Sequence, residues 1–392
     1  MRRQSVAWER AAEVREAAQG WRRVGAVDEP TEHAIREAFP DPCVTPSAVW
    51  RVLTACMVAA IVLCTFGAFA VALQPRPNAF PPLMFLFGGA AIVATEVLEA
   101  SPRSARRGAA GATSFLGVGF LLLGFGIFLV ETLGMGFDDA LDAALVASAL
   151  AWGLSGWRWG SPVFTALSAV SLFLLFGRWP YGRALWLLAG AALAGLAARR
   201  LDEDSWAPSH RRSAAVLVVA GILAVYAAVN VYSLDRHLLE DLGRYGAARI
   251  VRSPSLVVLS AMATAVLPLA ILGWGARSRR TFVLDTGIVL LGLSLVTLRH
   301  YVHLAPLWVI LTLAGAALVV LALSVERALR RAPGREIAGF TADSLFADER
   351  RAQALRIVPV VAAFTAAPTV AEDKGFAAGG GKFGGGGASE KF

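Results

Sequence analysis

Charged residues are scarce in this sequence of 392 residues: Asp, Glu, Lys and Arg make up 17%, whereas 56% of the residues are hydrophobic. A typical soluble domain carries about 25% charged residues. Here residues 48–327 are a succession of apolar runs separated by short, arginine-rich connections. Runs of roughly 18 or more apolar residues are long enough to cross a bilayer. The composition therefore excludes an ordinary soluble domain and predicts an all-α, polytopic transmembrane helical bundle.

Cysteine is also rare, and the motifs of the common catalytic classes are missing. The three cysteines, Cys43, Cys56 and Cys64, form no CxxC pair and no spacing typical of a metal site. The sequence contains no glycine-rich phosphate loop, HExxH or GxSxG motif. These absences favour a protein that is not an enzyme and that binds no cofactor.

Lysine occurs three times, at Lys374, Lys382 and Lys391, so arginine supplies almost all of the positive charge. Most arginines lie in the loops and flanks of the apolar runs, where arginine meets anionic lipid headgroups. We therefore attribute the net charge of +8 to the membrane setting and predict no nucleic-acid partner. The bias towards arginine and alanine indicates a GC-rich bacterial genome and hence a bacterial inner-membrane protein. The distribution of arginine between alternate loops predicts that both termini lie in the cytoplasm.

The composition divides the chain into four segments. Residues 1–46 are predicted to form a cytosolic helical hairpin, and residues 47–327 a membrane domain of ten spans. Residues 328–371 are predicted to be a cytosolic or interfacial helical segment, and residues 372–392 a flexible glycine-rich tail. The predicted spans are 48–73, 81–98, 109–130, 139–157, 162–177, 184–199, 213–232, 255–274, 281–298 and 307–325.

The hairpin is predicted from one apolar stripe and one helix cap. The stripe recurs at spacings of three and four residues and consists of Trp8, Ala11, Val14, Ala18 and Trp21. Asp28 is the expected N-cap of the second helix, and Pro40 its stop. Because two helices this short bury little surface alone, we expect them to dock on the membrane domain or on a partner.

Charged residues inside a span are costly unless they are paired, so they are the default candidates for function. Arg51, Glu96 and Asp285 lie within predicted spans, at the cytoplasmic third of the membrane. We expect Arg51 to pair with Glu96, and Asp285 to meet Arg279 or Arg280. Snorkelling and structural pairing are the favoured interpretation, and a proton or cation route is the alternative.

Two further groups of candidates lie at the outer face. Carboxylates flank the connection between the third and fourth spans, where the helix dipole favours them and a divalent-cation site is the alternative: Glu131, Asp138, Asp139 and Asp142. His300 and His303 are three residues apart on one helical face, and His237 lies in the other long outer loop. The three histidines are weak candidates for a metal site, because aromatic and histidine residues are common at membrane interfaces anyway.

Small residues and one proline predict how the helices pack. Glycine and alanine at close spacing let two backbones approach in lipid, and three such pairs stand out: Gly108 and Ala112, Gly117 and Gly124, Gly190 and Ala194. Pro268, within the eighth span, frees a backbone carbonyl and is expected to be a kink or a hinge.

The chain ends in GGGKFGGGGASEKF, a segment too rich in glycine to order itself. Its aromatic residues, Phe376, Phe383 and Phe392, together with the terminal carboxylate, are candidate anchors for a protein partner. This ending resembles the glycine-rich C-terminal ends of bacterial membrane proteins of the TPM-domain group, in which a glycine run and Gly-Ala-Ser close on an aromatic residue. The resemblance covers the last 14 residues and implies a shared partner or handling machinery.

The layout of the whole chain carries a second resemblance. A charged N-terminal hairpin followed at once by many arginine-punctuated spans is similar to a family of predicted bacterial multi-spanning membrane proteins of unknown function. Neither resemblance supplies catalytic residues. The sequence thus favours a non-enzymatic scaffold or assembly component of the cell envelope, with the lipid bilayer and a membrane or cytosolic protein as partners. A secondary transporter of a small solute, using Glu96 or Asp285, is the alternative, and a membrane enzyme with a periplasmic histidine site is the third hypothesis.

Overall fold

The computed structural model describes residues 3–23, 27–39, 48–74, 79–100, 108–179, 181–201, 203, 206–231, 254–302, 307–331, 336–337 and 340–341. These residues form twelve α-helices: α1 Arg3–Arg23, α2 Glu29–Ala38, α3 Ala48–Leu73, α4 Phe80–Ala100, α5 Ala109–Ile127, α6 Phe137–Trp159, α7 Pro162–Gly177, α8 Gly182–Leu201, α9 Pro208–Val229, α10 Pro254–Ser278, α11 Thr281–Val302 and α12 Leu307–Arg331. A short π-helical turn, Phe128–Thr132, continues α5.

The predicted all-α membrane bundle is confirmed, because helices α3 to α12 coincide with the ten predicted spans. Eight of them, α3 to α6 and α8 to α11, are long and apolar enough to cross a membrane. The fifth predicted span, α7, is the short one, with 16 residues. At 1.5 Å per residue it reaches about 24 Å, somewhat less than the hydrocarbon thickness of a bilayer.

The two N-terminal helices form the predicted hairpin. Arg22 on α1 donates to the carboxylate of Glu32 on α2 at 2.6 Å, and this hydrogen bond keeps the pKa of the guanidinium above its usual value. Ala11 and Ala18 of the predicted stripe are buried, whereas Trp21 remains 41% exposed. Helix α2 begins after the predicted cap, since Asp28 accepts a hydrogen bond of 3.0 Å from the backbone N–H of Thr31.

The Asp28 cap predicts a pH dependence of α2. Hydrogen bonds from the Thr31 side chain and backbone hold the pKa of Asp28 below its usual value of 3.8. The stabilisation is therefore complete above that pH and is lost as the pH falls through the lower, folded-state pKa. Hydrogen exchange of the α2 amides, corrected for intrinsic rates, should show this loss in the wild type. It should be absent in Asp28→Asn, because asparagine caps a helix without titrating. Equal losses in both proteins would assign the effect to another group.

The membrane helices pack largely as sequential pairs: α4 with α5, α6 with α7, α8 with α9, and α10 with α11. The backbones of α8 and α9 approach closely, since a Cβ atom built on Gly221 would lie 2.5 Å from the carbonyl oxygen of Gly190. This confirms the predicted small-residue contact at Gly190 and Ala194. Gly117 and Gly124 similarly face α4, at Gly88 and Met84 respectively.

The best buried core lies among α8, α9, α10 and α11. Val218, Val283 and Leu290 are completely buried there. A smaller cluster joins Val118 to the rings of Trp152 and Phe164, which are tilted by 37° to each other with centroids 5.2 Å apart. In contrast, no residue in the most apolar stretch of α3 is fully buried, although Phe66 packs against Phe87 and Phe120, so α3 lies at the edge of the bundle.

The segment after the last span differs from its prediction. Helix α12 continues to Arg331, past the predicted boundary at residue 327. The following segment, predicted to be helical, begins instead with a two-residue antiparallel ladder in which Glu336 pairs with Thr341 and Ile337 with Phe340. The rest of that segment and the tail, with Phe376, Phe383 and Phe392, lie outside the described residues.

Candidate functional site

The N-terminal hairpin is attached to the bundle at the start of α9. The carboxylate of Glu9 accepts a hydrogen bond of 2.9 Å from the backbone N–H of Ser209. One turn later on α1, Glu13 accepts a hydrogen bond of 3.0 Å from the Arg211 guanidinium. A carboxylate at a helix N-terminus satisfies a free N–H group and complements the helix dipole. We call the end of the bundle with this attachment the hairpin end, and the other the opposite end.

His210 lies beside this attachment and was not among the predicted histidines. Its Nε2 atom is 3.0 Å from the carbonyl oxygen of Trp157, at the end of α6. Because a carbonyl only accepts, Nε2 carries the proton and donates. The ring is 9% exposed and packs edge-on against Trp206. His210 therefore fixes the start of α9 to the end of α6, directly beneath the hairpin.

The predicted pairing of Arg51 with Glu96 is wrong. Glu96 accepts hydrogen bonds from Arg158 Nη2 at 2.8 Å and from Trp159 Nε1 at 3.1 Å. The end of α6, and not the start of α3, reaches the Glu96 carboxylate. Both partners of the ion pair are more than a third exposed. Glu96 is thus a neutralised interfacial carboxylate at the hairpin end.

The other two charge candidates do not join Glu96. The Arg51 carbonyl lies against Gly108, at the start of α5. Asp285 is exposed on α11, and Arg280 donates to the carbonyl oxygen of Ala198 at 3.4 Å. The pairing of Asp285 with Arg279 or Arg280 stays a prediction. The three candidates therefore lie at separate points of the hairpin end.

At the opposite end, the acidic group at the start of α6 has a buried basic partner. Arg178, immediately after α7, donates Nη2 to Asp138 at 2.8 Å and Nε to Asp142. The Arg178 side chain is only 10% exposed. This ion triad ties the last turn of α7 to the first turns of α6, and it explains two of the four carboxylates without a bound cation.

A polar network fills the contact between the last turn of α9 and helices α10 and α11. Thr264 and Ser294 are almost completely buried. Thr264 Oγ1 accepts from the backbone N–H of Val231 at 3.2 Å, and Ser260 donates to the carbonyl of Val229. Asn230, which caps α9, directs its amide towards Thr297 at 3.5 Å. Helix α9 thus ends against hydroxyl groups from two neighbouring helices.

Pro268 organises the centre of this network. Proline lacks an N–H group, so the carbonyl of Thr264, four residues earlier in α10, loses its helical partner. Ser294 on α11 donates its hydroxyl to that carbonyl at 2.8 Å. Tyr226 on α9 lies 3.0 Å from Ser294 Oγ and must be the donor, because the Ser294 proton is already used. The freed carbonyl that the sequence predicted is therefore occupied by a hydroxyl from another helix.

This arrangement predicts an unusual rescue. Ser294→Ala leaves the buried Thr264 carbonyl without a donor and should lower the free energy of unfolding by about 1–3 kcal/mol. Adding Pro268→Ala restores a backbone N–H at the right place, so the double variant should be more stable than Ser294→Ala alone. Thermal unfolding in detergent measures both. Tyr226→Phe is the control and should cost less, because it strands no buried carbonyl. A double variant no better than Ser294→Ala would contradict the proposed role of the proline.

Of the three histidines predicted as a metal site, the structure describes one. His300 is exposed at the end of α11, whereas His237 and His303 lie outside the described residues. Within the described part of the chain, no three His, Cys, Asp or Glu side chains converge to hold a metal ion. The histidine site stays a prediction.

The sequence indicates several charged residues inside the spans but not the side chains that bind them. None of Arg158, Arg178, Arg183 and His210 is singled out by the sequence, yet each makes a specific contact between helices. One signal was available for Ser294, since a proline inside an apolar helix requires a donor from a neighbouring helix.

No protein-family model matches the chain, and comparisons with curated proteins and with solved structures give no match. The resemblances of the tail and of the layout therefore stay predictions.

Proposed function

We propose that this integral membrane protein is a non-enzymatic scaffold or assembly component of the bacterial inner membrane, with both termini in the cytoplasm. The observation that carries the proposal is the attachment of the hairpin. Glu9 and Glu13 fasten α1 to the start of α9. A pair of short helices that is held in place this way offers a preformed surface to a protein partner, which avoids the entropy cost of ordering it on binding.

The free face of the hairpin is suited to protein contact. Trp21 is 41% exposed, and tryptophan is enriched at the energetic centres of interfaces. Helix α2 adds His33 and Glu37, whose side chains are at least 70% exposed. The tail residues Phe376, Phe383 and Phe392 are proposed as a second contact for a partner.

Photo-crosslinking in living cells tests this role. A photoreactive residue placed at Trp21 or His33 should capture a defined protein, whereas the same residue at Leu188, which is exposed on α8, should capture lipid or nothing. Glu9→Gln together with Glu13→Gln should weaken the hairpin capture, because both attachment contacts lose their charge. Removal of residues 376–392 tests the tail in the same cells. The scaffold role would be refuted if no protein is crosslinked to the hairpin and if removal of the tail leaves the set of crosslinked proteins unchanged.

A second candidate, a secondary transporter of a small solute, is favoured by one observation. In the network around Pro268, the Ser294 hydroxyl of α11 binds the carbonyl that the proline frees within α10, and the Tyr226 hydroxyl of α9 binds Ser294 in turn. Many transporters build their binding sites from backbone groups that an interruption frees within a helix. Glu96 and Asp285 are the coupling carboxylates in this hypothesis. Reconstituted protein should then move protons with a solute from a defined panel, and Glu96→Gln or Asp285→Asn should abolish that flux. Unchanged flux in both variants would exclude this coupling scheme.

A further inference from the structure

Two arginines at the opposite end of the bundle have very different surroundings. Arg178 is bound to two carboxylates, Asp138 and Asp142. Arg183, in the first turn of α8, donates Nε and Nη2 to one neutral acceptor, the carbonyl oxygen of Ala228, at 3.2 and 2.7 Å. Among the residues that the structure describes, no carboxylate lies within ion-pair distance of Arg183. Its side chain is half-buried.

The contact with Ala228 explains the position of Arg183 but leaves its charge uncompensated. The guanidinium lies at the C-terminal end of α9, where the helix dipole favours a cation. It also lies in the first turn of α8, where the dipole disfavours one. A neutral carbonyl offsets only part of the cost of burying a full charge, which usually requires an anionic partner. An oxyanion beside Arg183 would supply that partner.

The geometry of the guanidinium leaves the matching donors available. Arginine has five N–H groups, and the two contacts to Ala228 use one from Nε and one from Nη2. Both N–H groups of Nη1 and one N–H group of Nη2 are not used by Ala228. One N–H group from each of these nitrogens lies on the outer edge of the guanidinium, where arginine can bind a carboxylate or phosphate with two parallel hydrogen bonds.

The residues that follow Ala228 in the chain are held by uncharged polar groups. The carbonyl after that of Ala228 belongs to Val229 and is bound by Ser260 of α10. Asn230 follows directly, with Thr297 of α11 beside its amide. Arg183 thus binds a helix end that hydroxyl and amide groups also hold, and a cation combined with such groups recognises an oxyanion attached to a small polar body.

We propose that Arg183 is the anchor of an anion-binding site at the end of α9, and that the ligand is a carboxylate or phosphate. The site goes beyond the scaffold role and does not rest on it. Two sources share this chemistry: a small water-soluble anion, and the headgroup of an anionic lipid.

Thermal unfolding of the purified full-length protein in a neutral detergent tests the proposal. Inorganic phosphate, succinate and phosphatidylglycerol are titrated separately, with sodium chloride at matched ionic strength as the reference. At least one of the three should raise the unfolding temperature of the wild type saturably. Arg183→Gln should lose this response, and Arg183→Lys should weaken the apparent affinity by about tenfold, because lysine keeps the charge but not the two-pronged geometry. Arg200→Gln, at an exposed surface pair, should respond as the wild type does.

The outcomes separate the two sources. A response to phosphate or succinate that requires Arg183 identifies a soluble anion, and a response to phosphatidylglycerol alone identifies a lipid headgroup. The proposal is overturned if none of the three stabilises the wild type beyond the salt reference, or if the response of Arg183→Lys equals that of the wild type. The responses of the wild type and of Arg183→Lys test the proposal even if Arg183→Gln does not fold.

Discussion

Gly221→Ala is expected to separate α8 from α9 and to destabilise the whole bundle. The added Cβ atom would lie 2.5 Å from the carbonyl oxygen of Gly190 and 2.8 Å from the backbone nitrogen of Ala194. Both obstacles are backbone atoms, so no side-chain rotation can relieve the overlap, and the two helices must move apart. Overpacking costs typically 1–3 kcal/mol, and a backbone obstacle places this change at the upper end, at about 3 kcal/mol. The unfolding temperature in detergent should fall by roughly 5–10 °C.

The chain offers a matched control on α8. Gly195→Ala introduces the same methyl group at a position where no atom lies within 4 Å of the new Cβ. Alanine is a better helix former than glycine, so this variant should be as stable as the wild type or slightly more stable. Equal stability of Gly221→Ala and Gly195→Ala would mean that the close contact between α8 and α9 does not exist.

Arg178→Gln is expected to have the second large effect, at the opposite end of the bundle. The change leaves Asp142, whose side chain is 21% exposed, without its buried cation. Removing one partner of a buried charge pair is strongly destabilising because the other charge stays uncompensated. Asp138 is 57% exposed and is screened by solvent, so it adds less. We expect a loss of about 2–4 kcal/mol in the free energy of unfolding.

Two comparisons make this prediction specific. Adding Asp142→Asn to Arg178→Gln removes the stranded carboxylate and should recover part of the lost stability. Arg200→Gln breaks an ion pair in which both side chains are at least 40% exposed, and it should cost less than about 1 kcal/mol. If Arg178→Gln costs no more than Arg200→Gln, the triad does not hold α6 and α7 together.

The sequence by itself determined the elements of this protein. The tendency of a segment to span the membrane is the sum of the transfer free energies of about 20 consecutive residues. It can therefore be predicted without knowing which helices pack against that segment. The Asp28 cap and the short α7 were also predictable, because both depend on residues that are close in the sequence. Asp28 binds the N–H group three residues away, and α7 begins and ends at residues next to its own apolar run.

Only the tertiary structure decided which polar side chains meet. Glu96 binds an arginine 62 residues away rather than Arg51, Arg178 crosses 40 residues to reach Asp138, and Ser294 crosses 30 residues to reach the carbonyl freed by Pro268. Hydropathy states how strongly each helix prefers lipid, but it carries no information about their order in the bundle, that is, about which helices become neighbours. The order follows from close packing at positions such as Gly190 and Gly221, where the backbones touch, and the buried polar contacts then depend on which helices have become neighbours.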